Sequence, residues 1–318
     1  MKYTRNTLTT RHHMLATATL ALLLFEVFAF GGPALAFANR YDWPLWAVGP
    51  FIIFATLLSW LVIVLRTFIA SARFTTEEPA TRRIGLARWL RLIYKEWLNQ
   101  TAILHVFMPF NKRFNQPDSP LSAKGMPVLL VHGLVCNGAA WWWMRKALVK
   151  RGIDRCYTID LEPILGNIDD YARQLAQRVE DIFAETGWSK ILLVTHSMGG
   201  LVSRSYLQKL DGAHRVAGLV TIGTPHHGTA LATIPLAENL RQLQLNDRWL
   251  TDLNRNEMQP TSTPITSIYT AHDNLVSPQA SCRLAHAENV RLVGIGHVTL
   301  MFSDEVADLV SEFVKRHS

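Results

Sequence analysis

Cysteine is scarce in this chain: there are three in 318 residues, Cys136, Cys156 and Cys282. No metal-ligand spacing connects them. An odd number without a pattern excludes a disulfide framework and suits a reducing compartment. Internal repeats and low-complexity tracts are also absent, which excludes a solenoid or a compositionally biased tail. Acidic residues are the minority, with 25 Asp and Glu against 32 Lys and Arg and a net charge of +7. The meaning of that excess depends on where the basic residues lie.

They lie beside apolar runs. The hydrophobic fraction of 49% is only slightly above ordinary, but it is concentrated in the first third of the chain. Residues 14–37 and 45–65, the latter continuing to Ala70, are long enough to cross a bilayer, which takes about 20 apolar residues. The short turn between them, Asn39-Arg40-Tyr41-Asp42-Trp43-Pro44, carries the aromatic residues of a membrane–water boundary. Lys2, Arg5 and Arg11 precede the first run. Arg66, Arg73, Arg82, Arg83, Arg88, Arg91 and Lys95 follow the second, and the turn has only Arg40, balanced by Asp42. Positive flanks on both sides predict a transmembrane hairpin over residues 1–74 with both ends in the cytoplasm. The basic cluster is then a contact for anionic lipid, and nucleic acid is not expected as a partner. A rival reading takes residues 2–11, 15–30 and Ala34-Leu35-Ala36 as the three regions of a cleaved signal peptide. Glu26 is costly in mid-membrane and is expected to be a neutral carboxyl bonded to a partner within the hairpin.

Residues 75–119 read as a juxtamembrane segment. Leu86, Trp89, Leu90, Ile93, Tyr94 and Trp97 recur at helical spacing. They predict an amphipathic helix that lies on the membrane or packs on the rest of the protein. The polar, Pro-containing stretch 110–122 reads as a linker. From residue 120 onward, strand signals at 127–131, 156–159, 191–194, 216–222, 264–270 and 290–294 alternate with helical ones at 139–150, 168–185, 201–210 and 304–315. That alternation predicts an α/β domain over 120–318, with a mainly parallel sheet and helices on both faces. The interval 230–263 is too long for a simple loop and predicts a small cap.

Three strings carry chemistry. In Ile191-Leu192-Leu193-Val194-Thr195-His196-Ser197-Met198-Gly199-Gly200, an apolar strand runs into Ser197, two glycines follow, and a helix begins. Small residues around a Ser at a strand-to-helix turn mark a nucleophile elbow, with the helix amides aimed at developing negative charge. Earlier, Val128-Leu129-Leu130-Val131 ends in His132-Gly133-Leu134. Later comes Thr221-Ile222-Gly223-Thr224-Pro225-His226-His227-Gly228-Thr229.

Together these strings resemble the α/β-hydrolase superfamily on its bacterial triacylglycerol lipase and esterase side, over residues from about 120 to 318. The elbow departs from the usual G-x-S-x-G by Thr195. The loop after Leu134 has Cys136 where the better-studied lipases often have a second Gly. No calcium-binding pattern of the larger secreted lipases is evident. The resemblance implies an α/β-hydrolase fold and a triad in the order Ser197, Asp273, His297. Asp273 lies just past the strand ending at Thr270, and His297 lies on a Gly-rich loop past the last strand. It also implies an oxyanion hole made by the backbone N–H groups of Leu134 and Met198. His132 and Gly133 shape the loop, and His226 and His227 are expected around the pocket and its mouth. His196 reads as structural, His272 as a possible support for Asp273, Asp160 as a rim residue, and Asp304 with Ser303 as the cap of the last helix. Cys136 has no elbow around it and is not a nucleophile candidate, though its place near the loop predicts access to thiol reagents.

The function so implied is a membrane-anchored serine hydrolase of a bacterial inner membrane, multi-pass, cleaving carboxylic esters of lipid acyl groups through an acyl-serine. An acyltransferase or thioesterase with the same triad, or a non-catalytic lipid- or partner-binding scaffold, are the rivals. No cofactor or metal is implied, and the substrate is a lipid or ester.

Overall fold

The structure is a computed structural model. It describes residues 14–318 except 77, 79–82, 116, 121, 235 and 257–262. The flanking charges Lys2, Arg5, Arg11 and Arg82, and part of the interval 230–263, lie outside the described residues.

Helix α1 is Met14–Tyr41, and α2 is Val48–Phe74, entered through a 3-10 turn at Leu45–Ala47. Both are long and apolar enough to cross a membrane, and they pack on each other as a hairpin. Glu26 in α1 is bonded on both oxygens. Trp60 Nε1 of α2 donates to Oε1 at 2.7 Å, and His105 Nε2 lies 3.0 Å from Oε2. A partner-bonded carboxyl was expected, but one of its two partners lies beyond the hairpin.

Helix α3, Leu86–Ala102, continues into a wider turn, Ile103–Phe107, and a short helix α4 follows at Asn111–Phe114. Of the two placements open for α3, the structure packs it on the α/β domain. Leu92 and Glu96 are buried, while Leu86, Leu90 and Tyr94 form an exposed apolar edge. The stretch expected as a linker is likewise packed: Ser119 Oγ donates to the Asp154 and Cys156 carbonyls, and Arg145 holds the Pro117 carbonyl at 2.6 Å.

The α/β domain alternates strands and helices: β1 Val128–Val131, α5 Trp142–Lys150, β2 Cys156–Ile159, α6 Ile168–Thr186, β3 Ile191–His196, α7 Met198–Lys209, β4 Val216–Ile222, α8 Glu238–Gln242, α9 Arg248–Asn256, β5 Ile265–Thr270, β6 Glu288–Leu292 and α10 Asp304–His317. All six strands pair in parallel, in the order β2-β1-β3-β4-β5-β6. Side chains alternate across a strand. Val128 and Leu130 therefore join α5 and α10 in one core, while Leu129 and Val131 join α6 and α7 in the other. Strands buried on both faces read as continuous apolar runs, which is why β1 and β3 were visible in the sequence. The last strand is displaced from its expected position: β6 pairs over 288–292 and carries Glu288 and Arg291 on the exposed sheet edge. Ser303 caps α10 as expected, accepting the Val306 N–H at 3.5 Å. Helices α8 and α9 form the described part of the cap.

Candidate active site

In a parallel sheet the carboxyl ends of the strands open one common crevice. Here they deliver His132 and Gly133 after β1, Ser197 after β3, Asp273 after β5 and His297 after β6.

Ser197 has φ 54° and ψ −126°, a left-sided conformation that costs a non-glycine residue on the order of 1–3 kcal/mol. The neighbours hold it there. Its N–H is tied to the Ile222 carbonyl at 2.9 Å, and its carbonyl accepts the Gly200 N–H at 3.1 Å. The turn has no room for side chains: a Cβ on Gly199 would lie 2.6 Å from the Val131 and His132 carbonyl oxygens, and one on Gly133 would lie 2.8 Å from Ser197 Cβ. Thr195 fits where a glycine is usual because its Oγ1 donates to the Val220 carbonyl at 3.0 Å.

His297 Nδ1 lies 2.8 Å from Asp273 Oδ2, and both side chains are buried. The other Asp273 oxygen accepts the N–H groups of Leu275 at 2.9 Å and Val276 at 2.7 Å. Burial alone would lower the His297 pKa. The charge and hydrogen bond of Asp273, with the charge of Glu96, reverse that and raise it above the ordinary imidazole value. Ser197 and His297 line the same cavity, of about 320 Å³, whose walls are largely apolar and include Leu134, Leu231, Leu243 and Met301.

The loop after β1 is fixed by His132. Its Nδ1 contacts the Gly133 carbonyl at 2.8 Å, and its Nε2 accepts the Leu161 N–H at 3.0 Å, so the ring is the neutral Nδ1–H tautomer. Burial lowers its pKa, consistent with neutrality. In a trans peptide the carbonyl and the following N–H point in opposite directions. With the Gly133 carbonyl held on the His132 ring, the Leu134 N–H faces the other way, and Leu134 lines the cavity. Val135 completes the turn at φ 49°. Met198 supplies the first amide of α7, directly after Ser197.

The other candidates take different places. Gly133 is in the cavity wall, but His132, His226 and His227 are not among the lining residues. His226 is buried between Arg204 and Thr221, and His227 contacts the Arg283 carbonyl at 3.1 Å. From that motif Pro225 and Thr229 form the wall instead. Gly223 matters more than the sequence suggested: at φ 58°, a Cβ there would lie 3.2 Å from His297 Cε1 and Nδ1. His272 Nδ1 accepts the Gly294 N–H at 3.1 Å, and its ring packs on Trp89. Asp160 accepts the Gly138 N–H at 2.6 Å. His196 is structural in a specific sense: its Nε2 lies 3.2 Å from the His297 carbonyl. Cys136 is half-buried and lines the cavity, and burial pushes its thiol up to about 12.

Residues 164–301 match the model of a PGAP1-like alpha/beta domain. Mature lipase BlEst2 of Bacillus licheniformis superposes with a TM-score of 0.55 at 23% identity, over 63% of this chain and 96% of that one. Lipase B of Aspergillus fumigatus superposes with a TM-score of 0.59 at 15% identity, over 91% and 85%. The domain has the α/β-hydrolase fold and resembles lipases. Two triacylglycerol lipases, from Pseudarthrobacter phenanthrenivorans and Burkholderia plantarii, are each 33% identical to it over 118 residues, which is 35% of this chain. The chain spans about a third of the length of these curated relatives, 36% and 32% respectively.

Residues from outside the α/β domain also contribute, and no sequence pattern announces them. Gln100, Ile103 and Leu104 line the cavity. Glu96 bonds to the turn after His297, and Thr67 and Ser71 of α2 bond to Asn274 and Asp273. A Glu recurring beside apolar positions of an amphipathic helix gives no signal of its partner.

Proposed function

We propose that this chain is a membrane-anchored serine hydrolase that cleaves carboxylic esters of lipid acyl chains. The observation that carries the reading is the Asp273–His297 pair at 2.8 Å, on the same apolar cavity as a strained Ser197. His297 Nε2 takes the Ser197 proton as Oγ attacks the ester carbonyl carbon. The carbonyl π electrons move to oxygen, and the N–H groups of Leu134 and Met198 hold the oxyanion. Collapse breaks the bond to the alcohol oxygen, which leaves with the proton from His297. Water, deprotonated by His297, then attacks acyl-Ser197, releasing the acid and restoring the serine. Losing one oxyanion donor typically costs about 3–4 kcal/mol of barrier.

Largely apolar walls favour an acyl chain over a polar substituent. The two long apolar helices, the Tyr41–Trp43 turn between them and the basic residues that follow α2 support a hairpin anchor with the catalytic side in the cytoplasm. The bonds from α2 to the Asp273 loop support a crevice close to the membrane surface, where lipid esters are plentiful. Labelling by a fluorophosphonate, with and without Ser197→Ala, tests the reading. A wild-type chain that neither labels nor hydrolyses a short p-nitrophenyl ester would refute it.

A further inference from the structure

His297 stands on a loop between the end of β6 at Leu292 and a 3-10 turn at Val298–Phe302. On one flank its own N–H is held by Asn274 Oδ1 at 3.1 Å. On the other flank lies a carboxylate from far away in the sequence. Glu96 of α3 is fully buried, and its carboxylate is bonded to this turn. Its Oε1 accepts the Val298 N–H at 2.9 Å, and its Oε2 accepts the Thr299 N–H at 2.9 Å and the Thr299 hydroxyl at 2.7 Å. Asn99 Nδ2 donates to the same hydroxyl at 3.2 Å. Gly296 leaves the space: a Cβ there would lie 2.6 Å from Glu96 Cδ.

A buried carboxylate is expensive unless its lone pairs are filled, and apolar residues would serve better if α3 needed only to pack. The first amides of a helical turn otherwise lack partners and attract negative charge. Glu96 satisfies two of them with one rigid, planar group. It thereby fixes the direction in which the chain leaves His297. Helix α3 is itself tied to the hairpin, because Trp97 Nε1 donates to the Leu57 carbonyl at 3.0 Å.

We infer that Glu96 is a positioning residue for His297, a clamp supplied from outside the hydrolase domain that orients the imidazole toward Ser197. The inference rests on the reading of His297 as the base. Three titratable groups face that imidazole: Asp273 after β5, bonded to Nδ1; His196 at the end of β3, its ring centroid 4.7 Å away; and Glu96 from α3. Of these, burial and the His297 charge hold His196 neutral. Burial raises the Glu96 pKa against the opposing pull of the Val298 and Thr299 donors and the His297 charge, and where Glu96 is ionised its negative charge favours the protonated imidazole.

Glu96→Gln in the full-length, detergent-solubilised chain tests the clamp. The variant keeps the size, removes the charge and puts an amide NH₂ where an acceptor is needed. Small misplacements of a catalytic group from a distance can cost about a hundredfold. The expected result is a kcat for a short p-nitrophenyl ester lower by about ten- to a hundredfold, with KM little changed. The acid limb of kcat/KM and the NMR titration of the His297 ring should both move to lower pH. An unchanged kcat and an unchanged titration overturn the inference. So does a kcat loss that follows thermal stability while the His297 titration stays put. Should Glu96→Gln not fold, Thr299→Val, which removes one of the three donors, should give the same changes at smaller size, and no change there overturns the clamp. The titration is also read in a Ser197→Ala background. A shift there, in a chain whose wild type hydrolyses no ester, sinks the proposed function and leaves the clamp. Normal hydrolysis with no shift sinks the clamp alone.

Discussion

Ser71 Oγ donates a hydrogen bond of 2.6 Å to the backbone carbonyl of Asp273. The donor lies near the end of the second long apolar helix, and the acceptor belongs to the proposed triad acid. Gln279 Nε2 donates to the same carbonyl at 2.9 Å and to Ser71 Oγ at 2.8 Å, and the Ser277 hydroxyl returns a bond to the Ser71 carbonyl at 2.8 Å. Ser71 and three residues 202 to 208 positions further along form one small polar lattice, which ties the Asp273 loop to α2.

The nucleophile and base are tested most directly. Ser197→Ala and His297→Ala should each remove hydrolysis of a p-nitrophenyl ester and leave the far-ultraviolet circular dichroism unchanged. Substantial turnover by Ser197→Ala at equal purity would rule out the acyl-serine route.

Asp273→Asn should lower kcat by about 10⁴, because an amide in place of the carboxylate favours the wrong imidazole tautomer. Steady-state kinetics would decide it. Near-normal turnover would move the acid role to another carboxylate.

The pH profile has a defined sign. The raised His297 pKa means that the base becomes protonated at a higher pH than an ordinary histidine would. Activity is therefore expected in full on the alkaline side and should fall as pH drops through that raised pKa. An acid limb in kcat/KM centred below the ordinary imidazole value would contradict the geometry around His297.

Gly223→Ala introduces strain at φ 58° and a Cβ 3.2 Å from the His297 ring. Displacement of the imidazole should slow fluorophosphonate labelling and reduce kcat by about a hundredfold. Wild-type labelling rates in that variant would mean that the ring has more space than the structure indicates.

The proposed anchor has two spans, which hold a protein more firmly than surface charge does, so the chain should remain in membranes after high-salt and carbonate washing. Alkaline phosphatase fused after Ser318 should be inactive; an active fusion would put the site outside the cell. A fragment starting near residue 110 keeps the whole α/β domain but loses Ser71 and Glu96, which bond to the loops of Asp273 and His297. It is expected to hydrolyse esters far more slowly than the full chain. Equal kcat in fragment and full chain would show that these contacts do not matter for turnover.

The α/β architecture was legible because its signals are local. Strands buried on two faces must be apolar throughout, as in Leu129-Leu130-Val131 and Leu192-Leu193-Val194. A tight elbow must be small, as around Ser197. Two apolar runs of bilayer length announce themselves by composition. The candidate triad followed from strand ends and chain order. The sequence could not determine what lies behind those residues. Glu96 on the His297 turn, Ser71 on the Asp273 carbonyl, Gly223 under the imidazole and Glu26 between Trp60 and His105 are contacts across long sequence separations. Their donors and acceptors look like ordinary polar residues until the chain is folded. Only the tertiary structure brought the helix after the apolar hairpin onto the His297 loop, because burying its apolar face required a partner surface, and the buried carboxylate of Glu96 could be satisfied by the amides beside His297.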